Sequence, residues 1–408
     1  MSSIFDRFLA PPEALQAFGA PAVLGAMLRF EASLARAQAR VGLVPEAAAQ
    51  SIIDTCKLVL FDVDRIAADS GQAGSLAIPL VKSLKDAVAR ADPAAAEFVH
   101  RGSTSQDVID TAVALCTRDA LALIEADVRQ AVTALLALSA RYAETPQLAR
   151  TLMQPASVTS FGLKCANWAT PLVRSLERLQ TTAAQALAVQ LGGAVGTLAQ
   201  MQPSGADVRA LMAADLQLRD TGVSWHTQRD EWVALGCELG LLVGSLGKIA
   251  KDIALMGQFE VSEVAEPSGA GRGGSSAMPH KRNPVACMVT LAAAQRAPQH
   301  VAALLAAMPQ EHERGLGNWQ AELAEWPQLL MCAHGAARAM ASVLPSLSVD
   351  ASRMLANLNA LRGVLPPEAA AEWFDPALAQ HAAQLTQNRL VLLHDQLKTM
   401  ACRPVPPA

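Results

Sequence analysis

A chain of 408 residues can bury a large core and has room for two or three domains. Hydrophobic residues make up 51% but aromatic residues only 4%, with the excess in alanine and leucine, so an all-α fold is expected and a β-rich one excluded. The net charge of −4, without any basic run, argues against nucleic acid as a partner, and an anionic ligand would have to find locally clustered cations. The cysteines (56, 116, 165, 237, 287, 332 and 402) are scattered, odd in number and never in C-x-x-C spacing. That points to reduced thiols in a cytoplasmic protein, with neither a disulfide framework nor a zinc site. The opening Met1-Ser2-Ser3-Ile4-Phe5-Asp6-Arg7 lacks the charged-then-apolar order of a secretory signal.

Residues 1–100 read as a small helical domain, with helices near 23–41, 46–57 and 80–90. Within the first, Phe30 to Ala37 is amphipathic with alanine on the packing side. From 101 to 349 the helices lengthen, to about 109–141, 161–190, 230–258, 284–306 and 321–344. Ala112, Leu115, Leu121, Ile124, Val128, Val132, Leu135 and Leu138 keep near-helical spacing over about eight turns. Helices of this length predict an extended central bundle, often continued across subunits. The most apolar window, 233–250, is interrupted by Glu238, Lys248 and four glycines, so it reads as a core helix and no membrane partner is expected. Residues 350–408 read as a reduced C-terminal helical domain of shorter-ranged pattern, ending in a loose Pro404-Val405-Pro406-Pro407 tail. No internal repeat is evident.

Chemistry concentrates in Gly273-Gly274-Ser275-Ser276-Ala277-Met278-Pro279-His280-Lys281-Arg282-Asn283-Pro284. Glycines at 269, 271, 273 and 274 permit backbone conformations closed to other residues. Asn283-Pro284 reads as a helix start, Asn as N-cap and Pro at the first helical position. A serine and a lysine would then sit beside free N–H groups at the positive end of a helix, an environment suited to carboxylates. The string Gly269-Ala270-Gly271-Arg272-Gly273-Gly274 spells G-x-G-x-x-G, but no strand precedes it, so it fails as a dinucleotide fingerprint. His100-Arg101-Gly102-Ser103-Thr104-Ser105-Gln106-Asp107 gathers hydroxyls and a histidine at another helix start. A capping turn with Asp107 in the first helical turn accounts for it equally well. A third such segment runs from Ala149 to Gly162. Trp225-His226-Thr227-Gln228-Arg229-Asp230 opens a helix, and Glu311-His312-Glu313-Arg314 lies between two others without metal-ligand spacing.

The loop from Gly274 to Pro284 resembles the signature G-S-S-x-M-P-x-K-x-N-P of the fumarase/aspartase superfamily at every fixed position. His100 to Ala112 resembles the superfamily's H-x-G-x-T-S-x-D-x-x-D-T-A segment. Residues 149–162 resemble the R-T-H-x-Q segment of its adenylosuccinate and argininosuccinate lyases, except that Leu152 stands where their proton-donating histidine would be. The 225–230 and 308–317 segments, Phe5-Asp6, Ala10-Pro11 and Leu76 to Lys82 are similar to those of its bacterial 3-carboxy-cis,cis-muconate cycloisomerase family. The resemblance runs from residue 5 to about 363, where that family continues with a longer helical domain.

The resemblance implies an all-α, three-part fold and a cofactor-independent, metal-free reaction on a small tricarboxylate in a cytoplasmic homotetramer, with sites shared between subunits. It implies Ser275 as the proton-transferring residue and Lys281 as its electrostatic partner. Substrate contacts would come from Thr104, Ser105, Thr159, Ser160, Asn283, Ser276, Met278, Gln228, His226 and Arg314, with His100 in support. A β-elimination lyase of the adenylosuccinate type is the rival that the resemblance leaves open, with Leu152 against it. A non-catalytic helical scaffold is the other.

Overall fold

In the computed structural model the described residues are 4–267, 273, 274, 277, 278 and 280–401. Helices dominate them. The first hundred residues form α1 (Pro12–Gln16), α2 (Ala20–Arg40), α3 (Glu46–Thr55), α4 (Val63–Ala73) and α5 (Ala77–Ala91). The central part is built from α6 (Ser105–Arg141), α7 (Phe161–Ala186), α8 (Gly205–Leu216), α9 (Asp230–Met256), α10 (Val285–Ala306) and α11 (Asn318–Val343). The chain then continues through α12 (Ala351–Arg362), α13 (Pro367–Trp373) and α14 (Ala379–Ala401). Two short antiparallel pairs complete the described fold: β1 (Pro146–Thr151) with β2 (Gln154–Ser160), and β3 (Val264–Ala265) with β4 (Ser348–Val349).

The alanine- and leucine-rich faces of α6, α7, α9, α10 and α11 close on one another as an elongated bundle. One apolar core runs through it from Leu24 to Met400. Alanine on the packing faces lets helices approach closely: a Cβ added at Gly247 of α9 would stand 2.6 Å from that of Ala294 on α10. Among the described residues α9 is the one helix long and apolar enough to cross a membrane, and 56% of its apolar window is buried inside the protein. Its place in the bundle is that of a core helix.

Direction along the bundle decides where the site segments lie. The start of α6 meets the start of α9, because Arg229 donates to Asp110 at 2.9 Å. The far end of α6 meets the far end of α9, where the Gln147 amide touches the Met256 sulfur at 3.1 Å. α7 turns back antiparallel at that far end: the Gly162 N–H donates to Tyr142 O at 2.9 Å and Ser139 Oγ to Gly162 O at 2.8 Å. Only glycine fits there, since a Cβ would come within 2.5 Å of Ser139 O. Buried charge fixes the near end. Arg229, 2% exposed, sits between the carboxylates of Asp110 and Glu322, and Trp319 Nε1 donates to Asp110 at 2.9 Å. Burial works against the Arg229 charge, but the two carboxylates hold its pKa above the ordinary value.

Two sequence expectations change. The stretch after Asp350 is not uniformly short-ranged: α14 is 23 residues long, with Leu393 and Met400 buried in the main core. The tail from 402 lies outside the described residues. Asn283 is not the N-cap of α10, because the helix begins at Val285 after Pro284, and Glu266 accepts from the N–H groups of Ala286 (3.0 Å) and Cys287 (2.8 Å). That helix end is therefore already filled by a carboxylate of the same chain, and its dipole is spent on Glu266. The six described cysteines are free thiols, and burial pushes those of Cys56, Cys165 and Cys287 well up and that of Cys116 up to about 12.

Candidate active site

The N-terminus of α6 is held by an unusually well-satisfied carboxylate. Asp107, fully buried, accepts from Thr104 N at 3.0 Å, Gly192 N at 3.0 Å and Gly193 N at 2.9 Å, and faces His226 Nε2 at 2.8 Å. Gly193 takes φ +68°, and a Cβ there would lie 2.9 Å from Gly102 O, so glycine is needed for this approach. His226 turns its other nitrogen to Ser224 Oγ at 2.9 Å and is 3% exposed. Both of its ring nitrogens are thus engaged inside the chain, and it acts on this region by fixing Asp107. Thr104 itself is half-buried, and its hydroxyl accepts from Arg314 Nη1 at 2.8 Å. Arg314 also donates to Ala194 O at 3.0 Å. Among the described residues its acceptors are neutral oxygens, so its charge is available to an anion. Ser105 is half-buried beside Thr104, and Gln228 is exposed at the adjoining end of α9.

His100 lies just before this turn with φ +61°, its Nδ1 2.6 Å from Oε1 of Glu31, a buried acid on α2. Burial works to lower its pKa, but the Glu31 charge and hydrogen bond raise it, and the net shift is upward. A histidine raised in the folded state adds stability that is full below about pH 6.5 and is lost as pH rises through the folded value. Urea unfolding of wild type and Glu31→Gln should therefore show a wild-type advantage at low pH that shrinks as pH rises. A pH-independent difference would contradict the pairing.

The second segment is the β1–β2 hairpin. Its two-residue turn is Leu152-Met153, both at positive φ (50° and 67°) and 97% and 69% exposed. Apolar side chains in a left-handed turn cost about 1–2 kcal/mol each, and asparagine or glycine is the ordinary choice there. Ser160, fully buried, caps α7 by accepting from Leu163 N at 3.0 Å, so its hydroxyl faces inward. Thr159, one residue earlier, lines an open cavity of about 660 Å³ between α7 and α9.

In the third segment, Asn283 N donates to Gly273 O at 2.7 Å and Lys281 N to Met278 O at 3.1 Å, which folds the loop back on itself. Lys281 and Met278 are exposed and Asn283 is half-buried. Ser275 and Ser276 lie outside the described residues.

Distances along the bundle separate these segments. Thr104 caps one end of α6 and Ser160 sits at the other, about 55 Å away by the rise of a 37-residue helix. The loop anchors Glu266 and Ala286 are level with the far end of α9, about 40 Å from its start near Asp110. The second and third segments share one end of the chain, tied by Arg150 Nη2 to Glu263 at 2.7 Å, and the first lies at the opposite end. One copy cannot bring all three to a single substrate.

Residues 10–298 match the profile of a lyase family. A 3-carboxy-cis,cis-muconate cycloisomerase of Bradyrhizobium diazoefficiens is 43% identical over 399 residues, covering 96% of this chain and 88% of its own. The chain belongs to the fumarase/aspartase superfamily, in its cycloisomerase branch. The crystal structure of the 3-carboxy-cis,cis-muconate lactonizing enzyme from Pseudomonas putida superposes with a TM-score of 0.85 at 38% identity, over 99% of this chain and 89% of that one. A nitrosuccinate lyase of Streptomyces davaonensis is also 42% identical, over 90% of this chain and 79% of its own. Sequence reasoning missed Glu266, Gly192, Gly193 and Ser224, which no local pattern links to their partners.

Proposed function

We propose that this chain interconverts 3-carboxy-cis,cis-muconate and its carboxymuconolactone without a cofactor, in the catabolism of aromatic acids. The observation that carries the reading is an intact signature loop together with Leu152 in place of the lyase histidine. In lactonization a substrate carboxylate adds across a double bond while the neighbouring carbon takes a proton. In reverse the leaving group is a carboxylate, which departs without being protonated, so an apolar residue at 152 is tolerable. Ser275 delivers the proton and removes it in reverse. Lys281 and Asn283 hold the carboxylate next to that carbon as its charge rises, with Ser276 and Met278 beside them. Thr104, Ser105, Arg314 and Gln228 receive a second carboxylate, with Asp107, His226 and His100 fixing that turn. Thr159 closes the site, and Ser160 positions it.

The end-to-end separation of the segments supports a homotetramer in which each site draws on several copies, and the composition fits a cytoplasmic enzyme. Residues 1–100, 101–349 and 350–408 serve as its three structural parts. An elimination expelling a weakly basic anion would also tolerate Leu152, and the 42% identical nitrosuccinate lyase makes that the second reading. Incubation with 3-carboxy-cis,cis-muconate should abolish the diene absorbance and give a lactone by NMR. Nitrite release from nitrosuccinate without diene turnover would replace this reading with the second.

A further inference from the structure

The cavity between α7 and α9 holds a charge that the proposed chemistry has not used. Thr159, Lys164, Asn167, Trp168, Ser245, Lys248 and Asp252 supply its polar wall. Lys164 feels two cations, Lys248 and Arg150, and two carboxylates, Asp252 and Glu263. Both carboxylates are occupied. Asp252 accepts from Trp168 Nε1 at 2.9 Å and from Lys248 Nζ. Glu263 accepts from Gln147 Nε2 at 2.8 Å, from both Arg150 amino groups, and from Asn357 at 3.0 Å. Lys164, half-buried in the first turn of α7, makes no hydrogen bond among the described residues. Lys164 lines the cavity together with Thr159 and Asn167.

We propose that Lys164 is a specificity-determining residue that receives the third carboxylate of a tricarboxylate ligand in this cavity. The inference rests on the reading of the chain as an enzyme for a tricarboxylate and names the residue that tells such a ligand from a dicarboxylate. The cavity is large enough for a carboxylate arm with its water, and its neutral donors can complete the shell around the anion. Burial lowers the Lys164 pKa, because the charged form has lost water without gaining a hydrogen-bonded acid. An arriving carboxylate offsets that loss, which an ammonium already in an ion pair could not offer. Lys248 is the poorer candidate, being mostly exposed and committed to Asp252.

The test is calorimetric binding of propane-1,2,3-tricarboxylate and of succinate to the full chain and to Lys164→Met and Lys164→Arg. Wild type should prefer the tricarboxylate. Lys164→Met should weaken its binding by about 10- to 100-fold while succinate changes by less than about twofold, and Lys164→Arg should keep most of the preference. Removing a desolvated charge that makes no hydrogen bond should leave thermal unfolding undiminished. With 3-carboxymuconate, Lys164→Met should raise KM far more than it lowers kcat, as loss of uniform binding does. Equal weakening of both ligands, or no preference in wild type, overturns the inference. A Lys164-dependent preference in a chain that leaves 3-carboxymuconate untouched upholds it while sinking the proposed reaction.

Discussion

Ser275→Ala is expected to lower turnover of 3-carboxymuconate by about 10²–10⁴-fold with little change in substrate affinity. The size follows from what the hydroxyl is asked to do. It carries a proton to or from carbon, a contribution made in the transition state and hardly at all in the ground state, so kcat falls and KM does not. Glu266 occupies the N-terminus of α10, so that helix end cannot itself hold the substrate carboxylate. Lys281, exposed and within a few residues of that end, offers a cation to that carboxylate. Steady-state kinetics of the variant, with circular dichroism to show an intact fold, checks the prediction. Full activity would remove Ser275 from the mechanism.

The long helices were legible because their apolar positions recur at helical spacing for many turns, and α6 shows this in Leu115, Ile124, Val128 and Leu135, all of them fully buried. The β1–β2 hairpin was not. Its strands carry Pro146 and Pro155, mix polar with apolar residues, and join through Leu-Met where a turn ordinarily uses Asn-Gly. α14 was obscured by glutamine, histidine and threonine between its apolar residues, and it is held by packing on α7 and β2 that local pattern does not encode.

In the site the same division holds. Hydroxyls, lysine and arginine announced themselves as clusters at helix starts. Their supports did not: Asp107 reaches Gly192 and Gly193 from 85 and 86 residues away, and Glu266 reaches α10 from 20 and 21. Asn283-Pro284 carried the local signature of a helix start, yet a distant glutamate took the capping role from it.

The proposed site is assembled from segments that a single copy keeps about 40–55 Å apart. Two crippled chains should therefore repair each other. Ser275→Ala removes the proton carrier from the loop, and Arg314→Met removes the cation beside Thr104, at the opposite end of the bundle. Each variant alone should form only damaged sites. In a mixed assembly, some sites take the loop from one kind of chain and the α6 terminus from the other, and a fraction of them carries neither lesion. The deciding measurement is diene turnover by the two variants after they are unfolded together and refolded as a mixture. Activity well above that of either variant refolded alone is the predicted result. A mixture no more active than its parts, from variants that fold and associate normally, would contradict the shared site.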